Sequence, residues 1–176
     1  KSCTFSTNRT WDLAGETGPL YANLRGIGIY AIDSDFKVLP ACSSILQYGT
    51  PCPDANLLKC KFEGLFYGIW AKSTNPAYTA TINQNEFVGN YRGVLIENID
   101  NPTLLQNEFD GDYVGEASNV FVMFPPPYST TTYSLYLNEC KGYRVEENSF
   151  SNGDAGMFVY NSGDLSHEIY KNYFDN

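Results

Sequence analysis

One pattern recurs along the chain: an aliphatic residue, two spacers, Asn or Cys, a spacer, Phe, a spacer, Gly or Asn, three spacers, Gly, and another aliphatic residue. It runs in full through Leu57…Cys60-Lys61-Phe62-Glu63-Gly64…Gly68-Ile69, Ile82…Asn85-Glu86-Phe87-Val88-Gly89…Gly93-Val94 and Val145…Asn148-Ser149-Phe150-Ser151-Asn152…Gly156-Met157. A fourth copy, from Leu104 through Asn107 and Phe109, matches as far as Gly115; a fifth begins at Ile169 and runs through Asn172 and Phe174 to Asn176. Cys3-Thr4-Phe5 is a truncated leading copy. The anchors Phe5, Phe62, Phe87, Phe109, Phe150 and Phe174 are 57, 25, 22, 41 and 24 residues apart. Periods in the low twenties belong to solenoids, whose turns bury their apolar faces against one another.

The segments after the Gly alternate with a period of two. Ile29 and Ala31, Ile69 and Ala71, Val94 and Ile96, Met157 and Val159 share one side; Tyr30, Trp70, Leu95 and Phe158 lie on the other. That is the pattern of strands, since a helix would repeat at three and four. A turn of this length holds about three short strands, with Gly and Asn supplying left-handed backbone at the bends. Parallel stacking at about 4.8 Å turns equivalent residues into columns. Asn85, Asn107, Asn148 and Asn172 then form an internal amide ladder, because buried amides need partners.

At this point the sequence resembles the right-handed parallel β-helix family, the pectate-lyase-like superfamily, whose repeats look like Ile-x-x-Asn-x-Phe-x-Gly/Asn-x-x-x-Gly-Ile. The resemblance implies an all-β fold: a right-handed parallel β-helix solenoid of about five to six coils with loop insertions and no evident end caps. The resemblance covers nearly the whole chain, and residues 1–176 read as a single β-helix segment of a longer one. The family holds lyases, hydrolases, epimerases, phage spikes and adhesins, so it specifies a scaffold more than a chemistry. The chain is most like a segment of a large bacterial surface protein or adhesin. It opens and closes inside a motif at the same phase, so the rest of a longer β-helix, or a docking partner, is expected at the open ends.

With 11 basic and 20 acidic residues the net charge is −9, which repels phosphate backbones and anionic lipid; a nucleic-acid partner is not expected. No apolar run approaches the roughly 18 residues of a membrane span, so membrane insertion is not expected, and no charged-then-apolar leader follows Lys1. Five cysteines are many for a reducing compartment. Cys42 and Cys52 bracket an off-repeat segment and read as a disulfide stapling it. Cys3 and Cys60 occupy the ladder position and read as buried thiols in place of Asn, with a bridge between them left open; Cys140 has no evident partner. Acidic charge, the expected disulfide and the resemblance together imply an extracellular or cell-surface, secreted protein.

Departures from the repeat are where function sits on such a scaffold, because the columns are committed to packing. The sequence reads as carrying insertions at 6–25, 34–56 and 120–132, the last with Met123-Phe124-Pro125-Pro126-Pro127-Tyr128, whose prolines forbid ladder pairing. The second and third are expected at one corner of the helix, where they either wall a groove or merely cover its side. Beside them the outward column Tyr30, Trp70, Leu95 and Phe158, with Phe124 and Tyr128, is the candidate binding surface. Flat aromatic faces suit sugar rings or a protein partner; alternatively a loop packs over them as a satellite core.

Catalytic signals are sparse. The Asn-Thr-Asp, Asp-Asp, Gly-His-Gly and Arg-Ile-Lys motifs of polygalacturonase-type hydrolases do not occur. A lyase needs calcium beside a basic residue; the nearest set, Glu86, Glu108 and Asp110, reads as a solvated acidic face, and the lone His167 as structural. No catalytic residue, metal ligand or cofactor is assigned. The function read from sequence is an extracellular or cell-surface scaffold that binds a glycan or protein partner. The alternative is a polysaccharide-active lyase or hydrolase whose catalytic coils are missing or divergent.

Overall fold

The computed structural model describes residues 3–6, 26–43, 52–111 and 132–175. Each coil is three strands and three bends. The first holds β1 (Thr4–Ser6), β2 (Ile27–Ile32) and β3 (Phe36–Val38), followed by a short antiparallel hairpin of β4 (Ala41–Cys42) and β5 (Leu57–Leu58). The second has β6 (Lys61–Glu63), β7 (Tyr67–Lys72) and β8 (Ala80–Asn83); the third β9 (Glu86–Val88), β10 (Arg92–Glu97) and β11 (Thr103–Leu105). The fourth has β12 (Glu108–Asp110), β13 (Tyr133–Asn138) and β14 (Arg144–Glu146); the fifth β15 (Ser149–Ser151), β16 (Ala155–Tyr160) and β17 (Glu168–Tyr170), after which β18 (Tyr173–Asp175) opens a sixth.

These strands form three parallel sheets along the axis: sheet I, β1-β6-β9-β12-β15-β18; sheet II, β2-β7-β10-β13-β16; and sheet III, β3-β8-β11-β14-β17. The chain is a parallel β-helix. Its interior is built from columns, with Ile69, Val94 and Leu135 inside sheet II and Ile82, Leu104 and Val145 inside sheet III, all without solvent exposure.

The Phe anchors are one continuous stack. Rings of Phe5, Phe62, Phe87, Phe109, Phe150 and Phe174 lie 4.8–4.9 Å apart and within 10° of parallel. Beside them runs the amide ladder. Asn107 donates from its backbone N–H and from Nδ2 to Oδ1 of Asn148, each at 2.9 Å, and Nδ2 also donates to the Ile82 carbonyl. Asn85 does the same to Asn107, and Asn148 to Asn172.

The left-handed bend just before the ladder is carried by Gln84, Gln106, Glu147 and Lys171, with φ of 50–55°, and not by the Asn itself. Gly64, Gly89 and Asn152 carry a second left-handed bend after the Phe strand. Gly93 serves a different need: a Cβ there would meet the Ser134 carbonyl at 2.5 Å and the Phe109 ring at 2.8 Å. A side chain at Gly93 would collide with the next coil and with the Phe stack.

Two disulfides are present. Cys42–Cys52 closes the hairpin, with Cα atoms 5.8 Å apart. Cys3 and Cys60 also pair, at 4.8 Å between Cα atoms, so the ladder position holds a cross-coil bridge there rather than two thiols.

The insertions differ from the sequence reading. Within 34–56, β3 is a regular strand of sheet III paired with β8, and the off-repeat part begins only afterwards. In the fourth coil the strand of sheet II is Tyr133–Asn138, in register with β10, and Ser134 fills the Gly slot in place of Gly115. The physical reason is packing: Leu135 and Leu137 extend the Val94 and Ile96 columns, whereas Gly115 is followed by Glu116, Ala117 and Ser118, which offer no apolar pair to the core. The off-repeat stretch of that coil therefore joins sheet I to sheet II, as residues 7–25 do in the first coil, while the other lies between sheets III and I. The two segments expected at one corner leave from different corners. Residues 7–25, 44–51 and most of 120–132 lie outside the described residues.

Candidate functional site

The outer face of sheet II brings aromatic rings and charged side chains together among the described residues. Each of its strands presents three outward positions, because the Gly slot and the residue after it both face inward. One outward row along the axis is Ile27, Tyr67, Arg92, Tyr133 and Ala155; the next is Tyr30, Trp70, Leu95, Tyr136 and Phe158; the third is Ile32, Lys72, Glu97, Asn138 and Tyr160.

Tyr30, Trp70, Leu95 and Phe158 thus share one row, which Tyr136 completes. At its ends the rings reach solvent: Tyr30 is 46% and Phe158 37% exposed. In the middle Leu95 is buried in a cluster with Phe66, Tyr67 and Tyr91, against which Trp70 and Tyr136 pack half-buried. The row is therefore two open aromatic platforms joined by a satellite core. Phe124 and Tyr128 lie outside the described residues.

At the first platform the Tyr30 and Trp70 rings are 4.9 Å apart, and the Lys72 ammonium lies 5.5 Å and 5.3 Å from their centroids. A hydrogen bond with Tyr30 raises the Lys72 pKa above its usual value, so the ammonium is fixed as a cation. Trp70 Nε1 donates to Glu97 Oε2 at 2.7 Å, which sets the indole plane. At the other end Phe158 packs 5.1 Å from both Tyr133 and Tyr136. Burial pushes the Tyr136 hydroxyl above its ordinary pKa, keeping it a neutral donor and acceptor.

Arg92 is the residue that sequence reasoning missed. It is 2% exposed, and its guanidinium lies 4.6 Å from the Tyr133 centroid, 5.0 Å from Tyr91 and 5.4 Å from Tyr136. Its Nη1 has no hydrogen-bond partner. The available signal was the position before the motif Gly, which holds large side chains, Tyr67 and Arg92, in two successive coils.

The acidic set resolves into ion pairs. Glu86 and Glu108 are direct neighbours in sheet I, and Lys59 reaches both, at 3.8 Å and 2.5 Å; Lys61 also stands in their row. Asp110 accepts a hydrogen bond from Asn152. The repulsion that would favour a bound cation is relieved by lysine. His167 stacks on Tyr143 at 4.2 Å. Cys140 is buried, its thiol pushed up to about 11 by desolvation, and its Sγ bonds the Ile96 and Asn138 carbonyls.

No helix among the described residues is long and apolar enough to cross a membrane. Compared with curated proteins and with solved structures, the chain shows no match. Residues 46–176 match the family described as "Periplasmic copper-binding protein (NosD)". Two disulfides belong to an oxidising compartment, in line with that periplasmic setting. The columned fold and this match, which spans most of the chain, make it a β-helical member of the NosD family.

Proposed function

We propose that the chain is an extracytoplasmic β-helical scaffold that binds a glycan along the outer face of sheet II. The observation that carries this reading is the register of that face. Aromatic rings stand in one row on the first, second, fourth and fifth coils, with Leu95 between them, and a row of hydrogen-bonding groups, Lys72, Glu97 and Asn138, runs parallel to it. Rings stack on the C–H faces of sugars while neighbouring polar groups take the hydroxyls. A rigid platform loses little entropy on binding, which makes Trp70 the anchor.

The family description names copper, and the donors among the described residues do not fit a copper centre. Soft or borderline metals select thiolate, thioether and imidazole ligands held together. The described residues bring together no group of three His, Cys, Asp or Glu side chains suited to a metal. The single His167 is stacked on Tyr143, four cysteines are in disulfides, and the remaining thiol is buried in carbonyl hydrogen bonds. No part of the proposed function runs through copper.

A glycan array probed with wild type and with Trp70→Ala tests the reading. Capture of a glycan class by the wild type, weakened about tenfold or more by Trp70→Ala, is expected. Capture that is indifferent to Trp70 would place binding elsewhere.

A further inference from the structure

We propose that Arg92 is the carboxylate-recognition point of this surface, and that the glycan it serves is sparsely acidic: mostly neutral sugars carrying isolated carboxylates. The inference rests on the glycan reading given above and names the chemistry of its ligand.

Among the described residues the buried guanidinium lies against the Tyr91, Tyr133 and Tyr136 rings, and its Nη1 has no hydrogen-bond partner. Ring faces attract a cation, but they leave the N–H fork without the oxygens it would have in water. Buried charges are ordinarily paired. The nearest carboxylate in sequence on the same strand, Glu97, is five residues along, about 16 Å at strand rise, and is already held by the Trp70 indole. Among the described residues, Nη1 of this buried cation is thus left without an acceptor.

Three features select the ligand. A planar guanidinium matches a carboxylate through two parallel hydrogen bonds. Tyr133 and Tyr136 flank it with flat faces, so the carboxylate arrives on a group that also stacks, as a sugar acid does. The net charge of −9 repels a polyanion, and the outward rows offer only Arg92 and Lys72 as cations, so the acid groups must be few. Arg92 lies one coil and three residues from Trp70, about 11 Å, within the span of one short oligosaccharide.

The test is a glycan array holding neutral, sparsely acidic and polyanionic glycans, each acidic one paired with its carboxyl-reduced form. It is probed with wild type, Arg92→Met and Arg92→Lys, with thermal melts as the fold check. The expected result is wild-type preference for sparsely acidic glycans, about 10- to 100-fold weaker binding after carboxyl reduction, and a similar loss in both variants, because lysine lacks the fork. The carboxyl-reduced comparison uses the wild type alone and decides whether a carboxylate is recognised even where a variant fails to fold; carboxylate preference lost in Lys72→Met and kept in Arg92→Lys would overturn the assignment to Arg92. Equal binding of acidic and reduced forms, or tighter binding of polyanions, would overturn the carboxylate role and leave the glycan reading standing. Binding of no glycan would remove both.

Discussion

The indole N–H of Trp70 donates a 2.7 Å hydrogen bond to the Glu97 carboxylate on the next coil, tying the aromatic row of sheet II to the polar row beside it. The indole edge is held by Glu97, and the ring packs at a tilt against Tyr30 at 4.9 Å and Tyr67 at 5.0 Å. In the proposed glycan reading, a ring fixed in this way needs no reordering on binding.

The ladder supports the coils through shared amides. Asn107→Ala removes the oxygen that receives both the backbone and side-chain N–H of Asn85, and the donor that satisfies the Ile82 carbonyl. We expect a loss of about 1–3 kcal/mol in urea unfolding, the cost of stranding buried polar groups.

The Gly slot makes a sharper contrast. Gly93→Ala places a methyl against backbone at 2.5 Å, whereas nothing lies within 4 Å of a Cβ at Gly163. Thermal melts should show Gly93→Ala destabilised by about 1–3 kcal/mol, with Gly163→Ala within about 0.5 kcal/mol of wild type.

Cysteine chemistry has a definite stoichiometry. Four thiols are bonded and Cys140 is buried with its pKa at about 11. Alkylation of the native, unreduced protein should label no described cysteine; denaturation without reductant should expose one, and reduction all five. Rapid native labelling at Cys140 would contradict its placement.

Acid sensitivity follows from two carboxylates that bond the first coil to the second. Asp33 is held below its ordinary 3.8 chiefly by the Thr74 backbone N–H and then by Ser73, and Asp35 chiefly by the Thr79 backbone N–H. Both pKa values are depressed by folding, so their contribution is complete above about pH 4 and is lost as pH falls through the lower folded values. Urea midpoints measured from pH 6 to pH 2 should fall at the acid end, and Asp33→Asn should flatten that fall while lowering the neutral midpoint.

The columns were legible in the sequence because each coil repeats the same residue types at the same offsets, as the Phe and Asn rows do. The fourth coil was not, because Ser134 replaces the Gly that marks its strand and Gly115 imitates it at the wrong place. The aromatic row was half legible: Tyr30, Trp70, Leu95 and Phe158 follow the motif Gly, and Tyr136 was hidden with its strand. Arg92 was marked only by its place before the motif Gly, since a repeat pattern says which residues face inward and nothing about whether an outward charge finds a partner. Lys59 escaped for a related reason, because its long side chain reaches Glu108 from outside the repeat row.

The central claim, that the outer face of sheet II is the binding surface, is tested most directly by the indole N–H resonance of Trp70. That proton sits in the hydrogen bond to Glu97 and reports any ligand laid on the platform. Titrating the isotopically labelled protein with the glycan class captured on the array should shift this resonance together with amides of Tyr30, Leu95 and Tyr136, leaving sheet III amides such as those of Leu104 and Val145 in place. Saturable shifts confined to sheet III or to the hairpin of Cys42, with the Trp70 indole unmoved, would contradict the account.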